Sequence, residues 1–306
     1  MKMKHCLKYL ILVLLTVAFC TSAHAQAGSS GLSFLKLGVS GRGISMGDAM
    51  SATVEGAAAT YYNPAGIFGN GESSSQILLM HREWIQDVRA EFLGVSFGLD
   101  DESALGFAVN TATVSEIEIR TRPGTVEGTF TSRDFSAGIS YARVISDELN
   151  VGITAKFLYE KIFLDESNGL AVDLGAQYKL DNLSLGLSLS NLGSMNKLRS
   201  EKTVLPALAR VGPAYTIGLE DISSRLVVAS DLLYVFPEKK SYVNLGTELL
   251  FNNTIAARAG YQAGSNSRGF SAGVGVLYGL FSLDYGFVPL SSNLGRGHTF
   301  SIGLKF

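Results

Sequence analysis

The sequence predicts a closed antiparallel transmembrane β-barrel of about 14 strands, carrying a small N-terminal hatch segment. Three observations predict it. From residue 76 to the end, apolar and polar or small residues alternate with a period of two, the periodicity of a strand with two different faces. The composition is 46% hydrophobic and only 17% charged, yet no apolar run after the leader reaches the roughly 20 residues of a membrane helix. Third, the chain opens on a secretory leader, and no cysteine follows that leader.

The leader is 1–25. Lys2, Lys4 and Lys8 form a basic start, 10–19 an apolar core too short to anchor, and Ala23-His24-Ala25 a cleavage site. Cys20 follows Phe19, where a lipoprotein signal needs a small residue, so lipid attachment is rejected. Both cysteines, Cys6 and Cys20, lie in the leader. A secreted chain without disulfides must be stabilised by a large core or by a sheet closed in lipid. A net charge of −2 leaves no footprint for nucleic acid. Thirty-four glycines with six prolines fit many closely spaced strands rather than disorder.

Residues 26–75 read as the hatch. They are rich in Gly, Ala and Ser and lack sustained alternation. A short helix is expected over 44–54, and Asn63-Pro64-Ala65-Gly66 reads as a turn. A stretch without strands ahead of a barrel is expected to fold inside or beneath it.

The barrel is expected over 76–306, with strands at 76–84, 88–99, 103–113, 131–145, 149–162, 168–180, 182–191, 207–218, 223–236, 240–251, 253–263, 268–278, 280–288 and 297–306. The count is even, and each is at least about as long as a tilted strand needs to cross the hydrocarbon. The last strand shows the pattern: Phe300, Ile302, Leu304 and Phe306 alternate with Thr299, Ser301, Gly303 and Lys305. A soluble sandwich alternates in the same way, so the connections have to decide. Those at 100–102, 146–148, 181–182, 252–253 and near Gly279 are tight, whereas 114–130, 192–206 and 289–296 are longer. Short turns on one side and longer loops on the other suit an outer-membrane barrel and place both chain ends on the short-turn, periplasmic side. Glu116, Glu118 and Arg120, alternating with Ile117 and Ile119, extend a strand above the membrane. Pro213 lacks a donor inside a strand, which implies a bulge or a broken strand pair. Trp84, Tyr159 and Tyr234 near strand ends suit the interfacial aromatic girdle.

No catalytic constellation is legible. His81 has no serine motif to serve, and no Cys cluster or paired-His spacing offers a metal site. The expectation is a non-enzymatic protein without cofactor or metal. The candidate functional residues are inward charges, because a cation on the lipid face at the midplane costs about 2–4 kcal/mol. Lys156, Asp173, Arg210, Asp231, Glu248, Arg258 and Asp284 fall on lumen faces, as do Glu160 and Lys179. They can pair with one another and with the hatch through Arg42 or Asp48, or they can meet a transported solute. Residues 227–236 are apolar on both faces, so Leu233 marks either a lumen site for a hydrophobic ligand or a seat for the hatch.

Specific residues also carry a family resemblance. Phe34-Leu35-Lys36-Leu37-Gly38, Gly41-Arg42-Gly43, Met46-Gly47-Asp48-Ala49 and Tyr62-Asn63-Pro64-Ala65-Gly66 resemble the opening of the PorV/PorQ family, and 81–87 is similar to it too. The resemblance implies a FadL-like barrel of 14 strands whose hatch includes Gly47, Asp48 and the Asn63-Pro64-Ala65-Gly66 turn. The aromatic Phe306 at the terminal carboxylate likewise resembles the signal by which the barrel assembly machinery of Gram-negative bacteria receives its clients. Two roles follow from the resemblance. One is type IX protein secretion or surface attachment of exported proteins, with secretion components or exported proteins as partners. The other is FadL-like passage of a hydrophobic, fatty-acid-like ligand across the outer membrane. In both, outer-membrane lipid surrounds the barrel.

Overall fold

A computed structural model describes residues 29–68 and 75–306, so the expected leader and its Ala23-His24-Ala25 site lie outside the described residues. Fourteen antiparallel strands form one closed ring. They are β1 (Gln76–Glu83), β2 (Val88–Gly98), β3 (Ser103–Ile119), β4 (Gly128–Val144), β5 (Leu149–Ile162), β6 (Asp165–Leu180) and β7 (Leu183–Met195). The ring continues with β8 (Leu208–Leu219), β9 (Ser224–Val235), β10 (Lys240–Phe251), β11 (Ile255–Ala263), β12 (Phe270–Tyr278), β13 (Phe281–Pro289) and β14 (Arg296–Lys305). Each strand pairs with its neighbours in sequence, and β1 closes on β14 from Gln76 opposite Lys305 to Glu83 opposite His298. Closure removes the unpaired edges that a bilayer cannot hydrate.

Alternation becomes two faces. Outward side chains such as Leu93, Ile139, Ile153, Leu174, Val228, Val274 and Phe300 are exposed. Their neighbours, including Phe92, Ser140, Thr154, Asp173, Ala229 and Thr299, are buried inside. The lumen is filled by residues 29–68. Val39, Met46, Ala49, Met50, Val54, Tyr62 and Ile67 share one core with Leu78, Phe92, Ala142, Ala214 and Val227 of the wall.

Several expectations need correction. The helix expected over 44–54 is a shorter α1, Gly41–Ser45, started by Ser40, whose Oγ accepts the Gly43 N–H at 3.0 Å. A second, α2, spans Ala59–Tyr62, and the turn expected at Asn63-Pro64-Ala65-Gly66 is there, as a 3₁₀ turn over Pro64–Phe68. The segment breaks into short pieces because it is anchored by side chains at every few residues. The loops are shorter than expected. β3 runs on to Ile119 past a register slip between Val114 and Ile117, where Glu116 has φ 57°. Phe163 and Leu164 alone join β5 to β6, and β7 extends to Met195. The longest connection, 196–207, carries its own small hairpin, Lys197–Leu198 with Glu201–Lys202. At Pro213 the outcome is one of the two expected, a broken strand pair and not a bulge: Val211 faces Leu232 and Ala214 faces Ala229 in β8 and β9, with the two positions between unpaired. Trp84 is not in the girdle. Its ring lies inside the mouth against Gly297, with the Arg82 guanidinium 5.5 Å from its centroid. Finally, the C-terminal strand does end on the short-turn side, but the first described residues lie at the other end. There the Gly31 N–H donates to Val204 O at 2.9 Å in the longest loop.

The lipid face yields a test. Ile153 lies mid-strand and is 46% exposed. Ile153→Arg is expected to lower folding stability in lipid vesicles by about 2–4 kcal/mol by denaturant titration. An unchanged transition would remove that face from the bilayer.

Candidate functional site

The site is the contact between the barrel wall and residues 29–68. The sequence-derived candidates Lys156, Asp173, Arg210, Asp231, Leu233, Glu248, Arg258 and Asp284 all point inward and are at most 7% exposed. They do not form one cluster but are spread over the height of the barrel.

At the short-turn end, Arg42 donates from Nε and Nη2 to the two Glu248 oxygens at 2.9 and 3.0 Å. Arg258 joins the same Glu248 at 2.5 Å and reaches Asp284 at 2.7 Å. Two cations and two carboxylates thus share one chain across β10, β11, β13 and α1. Beside them a polar cavity of about 470 Å³ is lined by Arg42, Glu55, Lys179, Arg225, Glu248 and Asp284.

In the middle, Asp231 accepts from the Met50 and Ser51 N–H groups, each at 2.9 Å, and from Ser51 Oγ at 2.5 Å. A buried carboxylate is tolerated only with such partners. Asn63 donates to Ser51 O at 2.8 Å and Ala176 O at 3.0 Å, while its own Oδ1 accepts the Ala65 N–H at 3.2 Å. This locks the Asn63-Pro64-Ala65-Gly66 turn against β5 and β6. The approach is so close that a Cβ on Gly152 would stand 2.4 Å from Pro64 C, and one on Gly175 2.1 Å from Asn63 Oδ1. Gly47, at φ 64°, lies as tightly on β10, where a Cβ would stand 2.8 Å from Leu245 O.

Towards the long-loop end, Asp48 meets Arg268 at 2.6 Å and accepts from Tyr62 Oη at 2.7 Å. Arg210 has no carboxylate among its described ion partners. Its guanidinium lies 5.7 and 5.9 Å from the Tyr61 and Tyr62 rings. Lys156 pairs with Asp173 at 2.5 Å and donates to Asn191 at 3.0 Å. Asn191 itself holds the Pro206 carbonyl at 3.1 Å. Leu233 sits apart, packed with Leu208 and Val235. At the mouth Lys36 pairs with Glu238, which also accepts from Ser30 at 2.7 Å. Burial alone would push the Glu238 carboxyl up; the Lys36 ammonium and the Ser30 hydroxyl outweigh it and hold it below the usual range.

Sequence reasoning missed Arg82, Arg268, Glu238 and Gln177. Arg82 is fully buried and donates to Thr299 Oγ1 at 2.9 Å and to Gly38 O. β1 is apolar on both faces, which hid the side this arginine takes, although its parity with Leu78 and Met80 carries the signal. Gln177 donates to Ser51 O and Val54 O, both at 3.1 Å. Arg268 opens the strand expected over 268–278, where its parity with the outward Phe270 assigns it to the lipid face; β12 starts only at Phe270, which leaves Arg268 free to turn inward.

A closed ring with an apolar outer face and a polar lumen occupied by its own N-terminal segment is a plugged outer-membrane β-barrel. Residues 57–306 match the family described as type IX secretion system membrane protein PorP/SprF, and the chain belongs to that family. The matched family is thus a type IX secretion one, but not PorV/PorQ by name. Among solved structures, the chain is similar to the Ralstonia pickettii toluene transporter TbuX, with a TM-score of 0.62, 13% identity, and coverage of 88% of this chain and 97% of that one. The CymD monoaromatic hydrocarbon channel gives 0.62, 14%, 88% and 98%. The P. putida toluene transporter TodX gives 0.60, 14%, 88% and 97%. At such identities the likeness is one of fold. No curated protein matches the chain.

Two outcomes are expected. Asp231→Ala leaves the Met50 and Ser51 donors unpaired, so about 2–3 kcal/mol of local stability is lost; hydrogen exchange rises around residues 50 and 51 while the strands stay protected. Because Glu238 has a depressed folded pKa, the stability it contributes is present above the unfolded glutamate value of about 4.3 and is lost as pH falls through the lower folded value. The difference between wild type and Glu238→Gln in thermal unfolding should therefore be constant near neutrality and close at acidic pH.

Proposed function

We propose that the chain is a non-enzymatic outer-membrane component of type IX secretion that works through its surfaces rather than through its lumen. One observation carries this reading: residues 29–68 are tied to the wall along the height of the barrel, by Arg42–Glu248, by Asp231 on Met50 and Ser51, by Asp48–Arg268 and by Lys36–Glu238. A lumen held this way is occupied by the segment along its height, apart from the polar cavity beside Arg42 at the short-turn end. In this reading the described residues 29–68 of the expected hatch are a permanent plug, and the Gly47, Asp48 and Asn63-Pro64-Ala65-Gly66 positions are its fixed points. The inward charges serve the plug rather than a solute. The long-loop end, with 196–207, meets an exported protein or another secretion component. The opening motifs support kinship with PorV and PorQ within the same system. Phe306, 60% exposed with its backbone paired to Ser75, is available to the barrel assembly machinery.

A second reading, passage of hydrophobic small molecules, is favoured by the interruption of β8–β9 pairing at Pro213, beside the apolar inward face of β9. TbuX, CymD and TodX are named for such transport. Val227 and Ala229 on that face are already covered by the plug.

Comparison of surface and secreted proteins from cells with and without the gene tests the first reading. The expected outcome is loss of a subset of exported proteins from the surface. Leu233→Asp should leave that secretion intact. If it instead slows hydrophobic-solute uptake while secretion is unaffected by deletion, the second reading replaces the first.

A further inference from the structure

The outer wall carries a second arrangement, unrelated to the plug. Register places Arg89 opposite Thr113, Thr113 opposite Arg133, and Arg133 opposite Lys161, so four outward side chains form one row across β2 to β5 at the long-loop end. The three cations are exposed, and none of them takes part in an ion pair among the described residues. Carboxylates flank the row at its two ends, Glu83 opposite Arg89 on β1 and Glu166 opposite Lys161 on β6, the latter also accepting from the Tyr159 hydroxyl at 2.7 Å, whereas Arg133 in the centre faces only Thr113 and Lys161. Like charges directly opposite across a strand pair are destabilising, and Arg133 against Lys161 is such a pair. An external anion would offset that repulsion.

Beneath the row the wall is dented. A groove of about 530 Å³ has Ala137 and Ala155 as its floor, with Phe107, Ile139, Phe157 and Leu170 around it. Ala137 lies four residues along β4 from Arg133, about 13 Å at the rise of a strand. A cationic row above an apolar groove of this depth matches an amphiphile lying along the wall, its anionic head at the interface and its chain in the hydrocarbon. A soluble protein partner could not reach a groove inside the bilayer. The long-loop end faces outward, so the lipid concerned is that of the outer leaflet; this step rests on the outer-membrane reading given above.

We propose that this face binds the phosphorylated, multiply acylated glycolipid of the outer leaflet, with a phosphate on Arg89, Arg133 and Lys161 and an acyl chain over Ala137 and Ala155. The test uses the full chain purified in zwitterionic detergent and titrated with lipid A at low salt. The variant Arg89→Gln/Arg133→Gln/Lys161→Gln is expected to bind lipid A about a hundredfold more weakly. Ala155→Phe, which fills the groove and keeps the charges, should also weaken binding. Dephosphorylated lipid A should bind wild type as weakly as phosphorylated lipid A binds the triple variant. A gel shift between unheated and boiled samples shows that each variant is folded. Undiminished binding by the folded triple variant overturns the proposal, and so does equal affinity for phosphatidylglycerol. Membrane fractionation of cells reports separately on the outer-membrane assignment, so failure of that reading is distinguishable from failure of the lipid site.

Discussion

A ring of strands in oil has an outer face that hydrocarbon satisfies and an inner face that it does not. Here the inner face bears charges whose burial without partners would cost several kcal/mol each. The rest of the structure depends on how that debt of polar groups is met. Residues 29–68 meet it, with main-chain donors for Asp231, Arg42 for Glu248, and carbonyls for Gln177 and Asn63. The wall in turn makes room: inward glycines at 152 and 175 let the Pro64 turn lie directly on the backbone of β5 and β6. Neither part is complete alone, since the wall would hold unpaired charge and the segment has too little regular structure to persist by itself.

That reciprocity explains what was legible in the sequence. Strand positions follow from alternation, and alternation survives because both faces are under selection by physics, one by lipid and one by a packed interior. β10 falls at 240–251 as expected, and β5 at 149–162. Inward charges were legible for the same reason, since parity within a strand decides their face. Where parity fails, so does the reading. Arg82 belongs to a strand apolar on both sides and Trp84 follows its end, Arg268 falls in an expected strand that starts two residues later, and Glu238 sits in a connection with no parity at all. Nor could the sequence show which way the N-terminal segment runs. Its direction is set by pairwise contacts such as Gly31 with Val204 and Ala57 with Gln76, at opposite ends of the barrel. Each of those contacts joins residues whose relation no local pattern encodes.

Likeness in fold to hydrocarbon transporters sits beside membership of a secretion family, and the two do not conflict. A fold fixes how strands close and where a plug can sit; function resides in the surfaces grafted on it. In the reading proposed above, lumen-facing groups such as Glu248, Asp231 and Gln177 are taken up by the segment, and recognition falls to the connections at the long-loop end and to the lipid-facing wall.

The anchors also differ in strength along the barrel axis. At the short-turn end the wall pair Arg258–Glu248 is enclosed, but Arg42, which ties the segment to it, is 26% exposed beside the polar cavity. The Lys36–Glu238 pair at the mouth is alike, with a lysine 25% exposed, so water and salt screen the segment's ion pairs at both ends. Local opening follows the gradient of stability. Any loosening of the segment therefore begins at its two ends, at Lys36 and at Arg42, and reaches the enclosed ties of Asp48 to Arg268 and of Asp231 to Ser51 last.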